Sequence, residues 1–225
     1  MITGIAIEKS TTGKESYAVQ IYAGEHKIPC RFVATYKDIP YGWMAVGSVE
    51  FVEAALNRQF PPNHFPDFCK ELIGRSWWLG NQNSLPPDKP VFIKPADHLK
   101  RFTGYVHQPE NKEPAPAGPL IVQDTVAFTT EFRYYILSGQ VIAAEWYPTP
   151  GQPEPTKIPT APKLPIHPPT HWSGTLDFGE TADGRFLLVE AHPPFACGWY
   201  GGNESKDFLT YAQWLIGGWE SLTKK

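Results

Sequence analysis

The chain has 225 residues, 41% apolar and 19% charged, enough for one large domain or two small lobes with a real core and too apolar for a disordered chain. Lys and Arg number 20 against 23 Asp and Glu, a net charge of −3, so nothing draws the chain as a whole toward nucleic acid or anionic membrane. Met1 to Lys9 lacks a basic start followed by an apolar core, and no apolar run approaches a membrane span, so a cytoplasmic protein is expected.

Residues 1–46 alternate short apolar runs, Thr3 to Ile7, Tyr17 to Tyr22 and Phe32 to Thr35, with polar or Gly/Pro breaks. They read as strands of a small strand-rich lobe. From Ser48 the spacing turns helical through Val49, Val52, Glu53, Leu56 and Phe60, and Pro61-Pro62 stops it. A second short helix is expected from Pro66 to Ile73, with Pro at its first position and Gly74 just past its end. Residues 1–85 thus form an N-terminal lobe, and Pro86-Pro87 opens a second part, residues 86–225.

Val91-Phe92-Ile93 is a short strand that ends on Lys94-Pro95. The residue before a proline is held extended, which presents the Lys94 ammonium at a strand end. Lys100-Arg101-Phe102-Thr103-Gly104 follows within a loop's reach. A lone strand-end lysine is most often a solubilising charge, but cationic residues around a short turn can hold an anion such as phosphate. Residues 107–119 form a polar, Pro-rich connection, and Leu120-Ile121-Val122 is another apolar run, ending at Gln123-Asp124.

Glu131 to Tyr147 reads as a hairpin turning at Ser138-Gly139. Counting outward from a two-residue turn, Arg133 faces Ala144 and Glu131 faces Trp146. Both charges share one face with Tyr135 and Leu137, and Phe132, Tyr134 and Ile136 take the other. Nine prolines between Pro148 and Pro169 exclude helix and central strand there. An extended, semi-rigid loop over Pro148 to Thr170, placed to drape over a site, is expected instead.

Thr175 to His192 is a second hairpin, with Asp183-Gly184 as its turn. Ala182 then faces Arg185 and, counting outward, Asp177 faces Glu190 with Cβ atoms about 5 Å apart. His192 lies on the same face. Like charges at that distance repel by about 3 kcal/mol at an effective dielectric near 20. A divalent cation is the obvious offset, since carboxylates suit hard ions such as Mg²⁺; a solvated acidic face is the reading that the hairpin alone favours. A turn-rich stretch, Pro193 to Gly202, precedes a final helix with Ser205 as its N-cap and an apolar stripe of Phe208, Leu209, Ala212, Leu215 and Ile216. Cys30, Cys69 and Cys197 stand far apart and in no C-x-x-C pairing, so they read as buried or inert thiols.

Taken in order, V-F-I-K-P-A-D-H-L-K-R-F-T-G, T-E-F-R-Y-Y-I-L-S-G-Q, L-D-F-G-E and L-L-V-E-A-H, with G-S-V-E-F-V ahead of them, resemble the ATP-grasp superfamily, in particular its small clade marked by one arginine and two lysines. The resemblance implies an α+β fold in which two lobes clasp ATP, with the small strand-rich lobe in front. It implies that Lys94 and Lys100 contact ATP phosphates, and that Leu120 to Asp124 is the hinge whose backbone, at Val122, Gln123 and Asp124, meets adenine. It also implies that Asp177 and Glu190 hold Mg²⁺, that Arg133 steadies the transferring phosphoryl group beside Lys100, and that Glu131 orients Arg133 or touches the nucleotide. His192 departs from the pattern by standing where the family has Asn, the third metal ligand. Imidazole suits Mn²⁺ or Zn²⁺ better than Mg²⁺.

The activity so implied is an ADP-forming, ATP-dependent carboxylate-amine ligation through an acyl phosphate, with ATP and a peptide or small-molecule carboxylate and amine as partners. Such chemistry asks for charge neutralisation and positioning more than for a nucleophilic side chain. No G-x-S-x-G elbow, G-x-x-x-x-G-K-[ST] loop or G-x-G-x-x-G turn occurs. Two other readings compete: an ATP-binding protein without ligase activity, and a metallohydrolase built on His167, His171, His192, Asp177 and Glu190. Pro168-Pro169 between the first two histidines denies the last reading a helical pair of zinc ligands.

Overall fold

Parallel strands need a long crossover between them, and the first 46 residues supply one. The computed structural model describes residues 2–110, 114–148 and 157–223. Strands β1 (Gly4–Glu8), β2 (Cys30–Val33) and β3 (Trp43–Val46) form a parallel sheet in the order β2-β1-β3. Helix α1 (Lys14–His26) makes the crossover from β1 to β2, so the strand expected from Tyr17 to Tyr22 is a helix. The alternation there misled because Ala18, Val19 and Ala23 are the buried set, a helical spacing with small residues that lie close against a sheet.

Helix α2 (Val49–Leu56) begins as expected, with the Ser48 side chain accepting the Phe51 N–H. It ends at Asn57, in the left-handed conformation, before Phe60. The expected second helix is a six-residue 3₁₀ segment, Asp67–Leu72, too short to repay α-helix nucleation.

A small antiparallel sheet, β4-β7-β5-β6, follows. It is built from β4 (Trp77–Gly80), β5 (Val91–Pro95), β6 (Tyr105–His107) and β7 (Leu120–Asp124), and so draws β4 from upstream of residue 86. The larger antiparallel sheet has the order β11-β10-β8-β9, with β8 (Phe128–Leu137), β9 (Gln140–Tyr147), β10 (Gly174–Thr181) and β11 (Phe186–His192). Helix α3 (Ser205–Thr223) packs on the Tyr135 face of this sheet, where Trp214 Nε1 donates to the Ile136 carbonyl. Ser205, expected as the cap, is already helical; the Phe208 N–H bonds to the Glu204 carbonyl, one residue earlier. No helix among the described residues is long and apolar enough to cross a membrane.

Both hairpins carry irregularities that pattern counting passed over. In β8–β9 the register slips between Tyr135 and Ile136, so Arg133 faces Glu145, not Ala144, and Glu131 faces Tyr147, not Trp146. In β10–β11 the loop is one residue longer than a two-residue turn, with the Thr181 N–H bonding to the Arg185 carbonyl. A bulge between Asp177 and Phe178 then restores the count, and Asp177 does face Glu190. Two one-residue errors cancel at the pair that matters.

The expected loop over Pro148 to Thr170 is described only in part, since residues 149–156 lie outside the described residues, as do 111–113 of the earlier connection. From residue 157 onward it covers the Phe132, Tyr134 and Ile136 face through Leu164, and Tyr134 Oη donates to the Pro162 carbonyl. That face is opposite the one carrying Arg133. The loop also closes over the β8–β9 turn. Gly139 has φ +76°, and a Cβ there would lie 2.8 and 2.9 Å from the Pro168 and Pro169 carbonyl oxygens, whereas Gly184, at φ +80°, faces open space. Gly139→Ala should therefore cost about 2 to 3 kcal/mol and Gly184→Ala about 1 kcal/mol. Equal losses on urea unfolding would show that the loop does not press on this turn.

Candidate functional site

The sheet register lines up three charges in a row. Arg133 on β8 faces Asp177 on β10, and Asp177 faces Glu190 on β11. The two carboxylates were expected to repel and to need a metal between them. In the structure protein cations neutralise each one. Arg133 Nε and Nη2 donate to the two Asp177 oxygens at 2.8 and 2.7 Å, and both residues are buried. Lys94 Nζ lies 3.0 Å from Glu190 Oε2, and His192 Nε2 lies 2.8 Å from Glu190 Oε1.

These neighbours decide the charge states. Burial pushes the Glu190 carboxyl up, but His192 and Lys94 outweigh it and hold the group well below the usual carboxylate range. Burial lowers the Lys94 ammonium, and Glu190 counters it only in part. Burial also opposes the Arg133 charge, but Asp177 overrides that and holds the guanidinium protonated.

Arg133 is fixed from every side. Its Nη1 donates to the Gly198 carbonyl at 3.3 Å, and its guanidinium lies 4.8 Å from the Tyr200 ring and 5.7 Å from Tyr147, which stack on each other. Tyr147 Oη donates to Glu131 Oε2 at 2.9 Å and lies 3.4 Å from Asp177 Oδ2. Glu131 is thereby linked to the Arg133–Asp177 pair through a tyrosine. Burial raises the Tyr147 hydroxyl well above its ordinary value, reinforced by Asp177 and Glu131, so it remains a donor.

In front of this row lies a cleft of about 430 Å³, whose walls include Lys94, Lys100, Arg133, Glu190, His192 and His64. Lys100 takes a left-handed backbone conformation at φ 60° in the loop after β5. Three cations and one carboxylate from four separate segments thus meet at one opening. Asp177 and Glu131 sit behind it, 1% and 8% exposed.

Val122, Gln123 and Asp124 are not among the cleft-lining residues. They belong to β7, which pairs with β4 on one edge and β5 on the other. The Gln123 side chain accepts from Arg75 Nε at 2.7 Å, and Asp124 pairs with Lys89. The expected hinge is therefore a paired strand, and residues 125–127 make the crossing to β8. His167 and His171 are exposed on the loop described above, so the metallohydrolase constellation is not brought together.

Sequence reasoning missed His64 and Arg75. His64 is 5% exposed, and its Nδ1 lies 3.5 Å from Glu190 Oε2. Burial lowers its pKa well below the ordinary value, helped by Lys94. Arg75 ties the two sheets together, donating to the Ile73, Leu188 and Val189 carbonyls at 2.7 to 2.9 Å as well as to Gln123. Val189 is the extra residue of the β11 irregularity, so Arg75 satisfies the carbonyls beside the bulge. Arg75→Met should cost about 3 kcal/mol in denaturant unfolding, because those carbonyls lose a buried donor. A loss below about 1 kcal/mol would show that water replaces it.

A family model of the ATP-grasp domain, family 2 of the clade named for one arginine and two lysines, matches residues 72–210. No curated protein sequence is significantly similar to the chain. Among solved structures, a RimK domain ATP-grasp protein from Sphaerobacter thermophilus is similar with a TM-score of 0.56 at 10% identity, covering 94% of this chain and 98% of that one. D-cycloserine synthetase is similar with a TM-score of 0.54 at 12% identity, covering 97% and 99%. The D-alanine–D-alanine ligase of Bacillus anthracis is similar with a TM-score of 0.51 at 10% identity, covering 98% and 97%. These likenesses are of fold, and with the family match over more than half of the residues they fix the classification. The chain belongs to the ATP-grasp superfamily, in family 2 of the clade named for one arginine and two lysines.

Proposed function

We propose that the chain is an ADP-forming, ATP-dependent carboxylate-amine ligase that works through an acyl phosphate on a peptide or small-molecule substrate. The observation that carries this reading is the convergence of Lys94, Lys100 and Arg133 on one cleft beside Glu190 and His192. A carboxylate is a poor electrophile. Phosphorylating it makes a leaving group that an amine displaces, and the phosphoryl transfer needs positive charge around three oxygens more than covalent help. Lys94 and Lys100 are assigned to the ATP phosphates and Arg133 to the transferred phosphoryl group. Glu131 orients Arg133 through Tyr147. Adenine is assigned to the crossing at 125–127, because the backbone of Val122 and Gln123 is already paired.

The residues present fit a divalent cation at Glu190 and His192, where a carboxylate meets an imidazole whose Nδ1 is buried without a hydrogen-bond partner among the described residues. Such an ion supplies charge neutralisation to phosphate oxygens. The donors favour Mn²⁺ over Mg²⁺. Asp177 joins them as a ligand only if Arg133 releases one of its oxygens.

The acceptor is assigned to a smaller cavity of about 80 Å³ bordered by Glu15, Val46, Ser48, Lys100 and Cys197. Its lining follows β3 to the carboxyl end at Val46, Gly47 and Ser48, and open parallel sheets place ligands at the carboxyl ends of their strands. Among neighbours of similar fold, D-cycloserine synthetase and D-alanine–D-alanine ligase act on small amino-acid-like molecules by their names, which supports an acceptor of that size.

The test is ATP turnover with Mg²⁺ or Mn²⁺ and pooled carboxylates and amines, with products separated as ADP or AMP. ADP supports the acyl phosphate, and AMP would indicate an adenylate and overturn the mechanism. Turnover that survives both Lys94→Ala and Glu190→Gln would overturn the site. The engagement of Asp177 by Arg133, with His192 beside Glu190, favours a second reading, nucleotide binding without ligation. Thermal stabilisation by ATP with no ADP released from any pool would support it.

A further inference from the structure

We infer that His64, Glu190 and His192 form a three-residue site for a borderline divalent ion that accepts nitrogen ligands, Zn²⁺ or Co²⁺, with His64 as a ligand from outside the family-matched segment. The inference rests on the reading of Glu190 and His192 as cation ligands and adds the residue that sets the choice of ion.

One ligand atom from each of the three residues lies within 4.8 Å of the others. A tetrahedral ion with bonds of about 2.1 Å separates its ligands by about 3.4 Å, so small side-chain movements bring all three donors to one ion. His192 Nε2 is 2.8 Å from Glu190 Oε1, and His64 Nδ1 is 3.5 Å from Oε2, on the far side of the same carboxylate. The two rings stand perpendicular with centroids 5.3 Å apart, so they approach the carboxylate from different directions.

The second observation is an orphan. His64 is 5% exposed, yet among the described residues its Nδ1 has no hydrogen-bond partner, although it faces an ionised carboxylate. A buried polar atom without a partner is destabilising, and a bound ion would satisfy it. Two imidazoles and one carboxylate suit borderline ions, whereas Mg²⁺ prefers an oxygen shell. His64 lies upstream of residues 72–210, which match the family model. It comes from the Pro-rich segment after α2, whose neighbouring Phe65 packs into the core between the sheets.

Lys94 is the competitor. Its ammonium occupies Glu190 Oε2 at 3.0 Å, and an ion arriving there must displace it or tolerate its charge.

The test is a titration of the full-length protein with Co²⁺ in the absence of nucleotide, followed by visible absorption and by equilibrium dialysis. Wild type should bind one equivalent with a ligand-field spectrum, and equimolar Mg²⁺ should not displace it. His64→Gln and His192→Gln should each weaken binding at least tenfold and alter the spectrum, with circular dichroism confirming the fold. Lys94→Met should tighten binding at least tenfold, which serves as an independent reading if either histidine variant folds poorly. A His64→Gln protein with wild-type Co²⁺ affinity and spectrum, or a wild type that binds no Co²⁺, would overturn the inference. ADP formation measured in parallel separates the two claims: turnover with Co²⁺ binding indifferent to His64 removes this site alone, and His64-dependent binding with no turnover removes the ligase alone.

Discussion

Arg133→Met is expected to abolish ADP formation and to lower the stability of the protein by about 3 to 5 kcal/mol, the cost of removing one partner from a buried, bidentate ion pair. Asp177, 1% exposed and bonded to Arg133 through both oxygens, would be left charged inside the sheet, with the Tyr147 hydroxyl 3.4 Å away as its remaining side-chain donor among the described residues. The guanidinium also supports two stacked tyrosines and the Gly198 carbonyl, so packing is lost with the charge. The double variant Arg133→Met, Asp177→Asn separates the two effects. It should recover at least half of the lost stability on urea unfolding, because no uncompensated charge remains. It should recover no turnover, because the guanidinium assigned to the transferring group is gone and Lys94 and Lys100 remain on the other phosphates. Restored turnover would move Arg133 out of the catalytic machinery and leave it as a structural pair for Asp177.

The large sheet and its charges were legible because strand alternation and turn residues are local properties. Glu131 with Arg133, and Glu190 with His192, share a strand face by period two alone, and the Lys94-Pro95 strand end follows from the restriction proline places on its predecessor. Register was less legible. The bulge in β9 moved the partners of Arg133 and Glu131 by one residue, and the Asp177 to Glu190 pairing emerged only because a longer loop and a bulge cancelled. The cation expected between those carboxylates rested on a pairwise repulsion that ignored the neighbouring strands. β8 supplies Arg133 to Asp177, and the small antiparallel sheet supplies Lys94 to Glu190; neither contact has a signal in the hairpin itself. Helix α1 was misread because three small or branched residues on one helical face also fit a short alternating strand. His64 and Arg75 carry no local pattern. Their roles come from tertiary placement, His64 beside a residue 126 positions away and Arg75 against carbonyls exposed by a bulge.

Lys94→Met should show the opposite balance from Arg133, with turnover reduced by about 10² to 10³, the usual cost of one preorganised donor to developing charge, and stability changed by only about 1 kcal/mol. The reason lies in the surroundings of its partner. Glu190 is 26% exposed and keeps His192 at 2.8 Å after Lys94 is removed, so its charge is neither fully buried nor alone, and the loss is discounted toward that of an exposed pair. Removing Lys94 also relieves a cost, since burial disfavours its own charge, and methionine fills the stem's volume over the Phe65 ring, where Nζ sits 5.1 Å from the centroid. The nucleotide readout should follow turnover: thermal stabilisation by ATP should shrink in Lys94→Met and persist in Glu131→Gln, whose side chain reaches the site through Tyr147. A Lys94→Met protein that loses several kcal/mol of stability yet keeps its response to ATP would assign Lys94 to holding the two antiparallel sheets together through Glu190 and not to the phosphates.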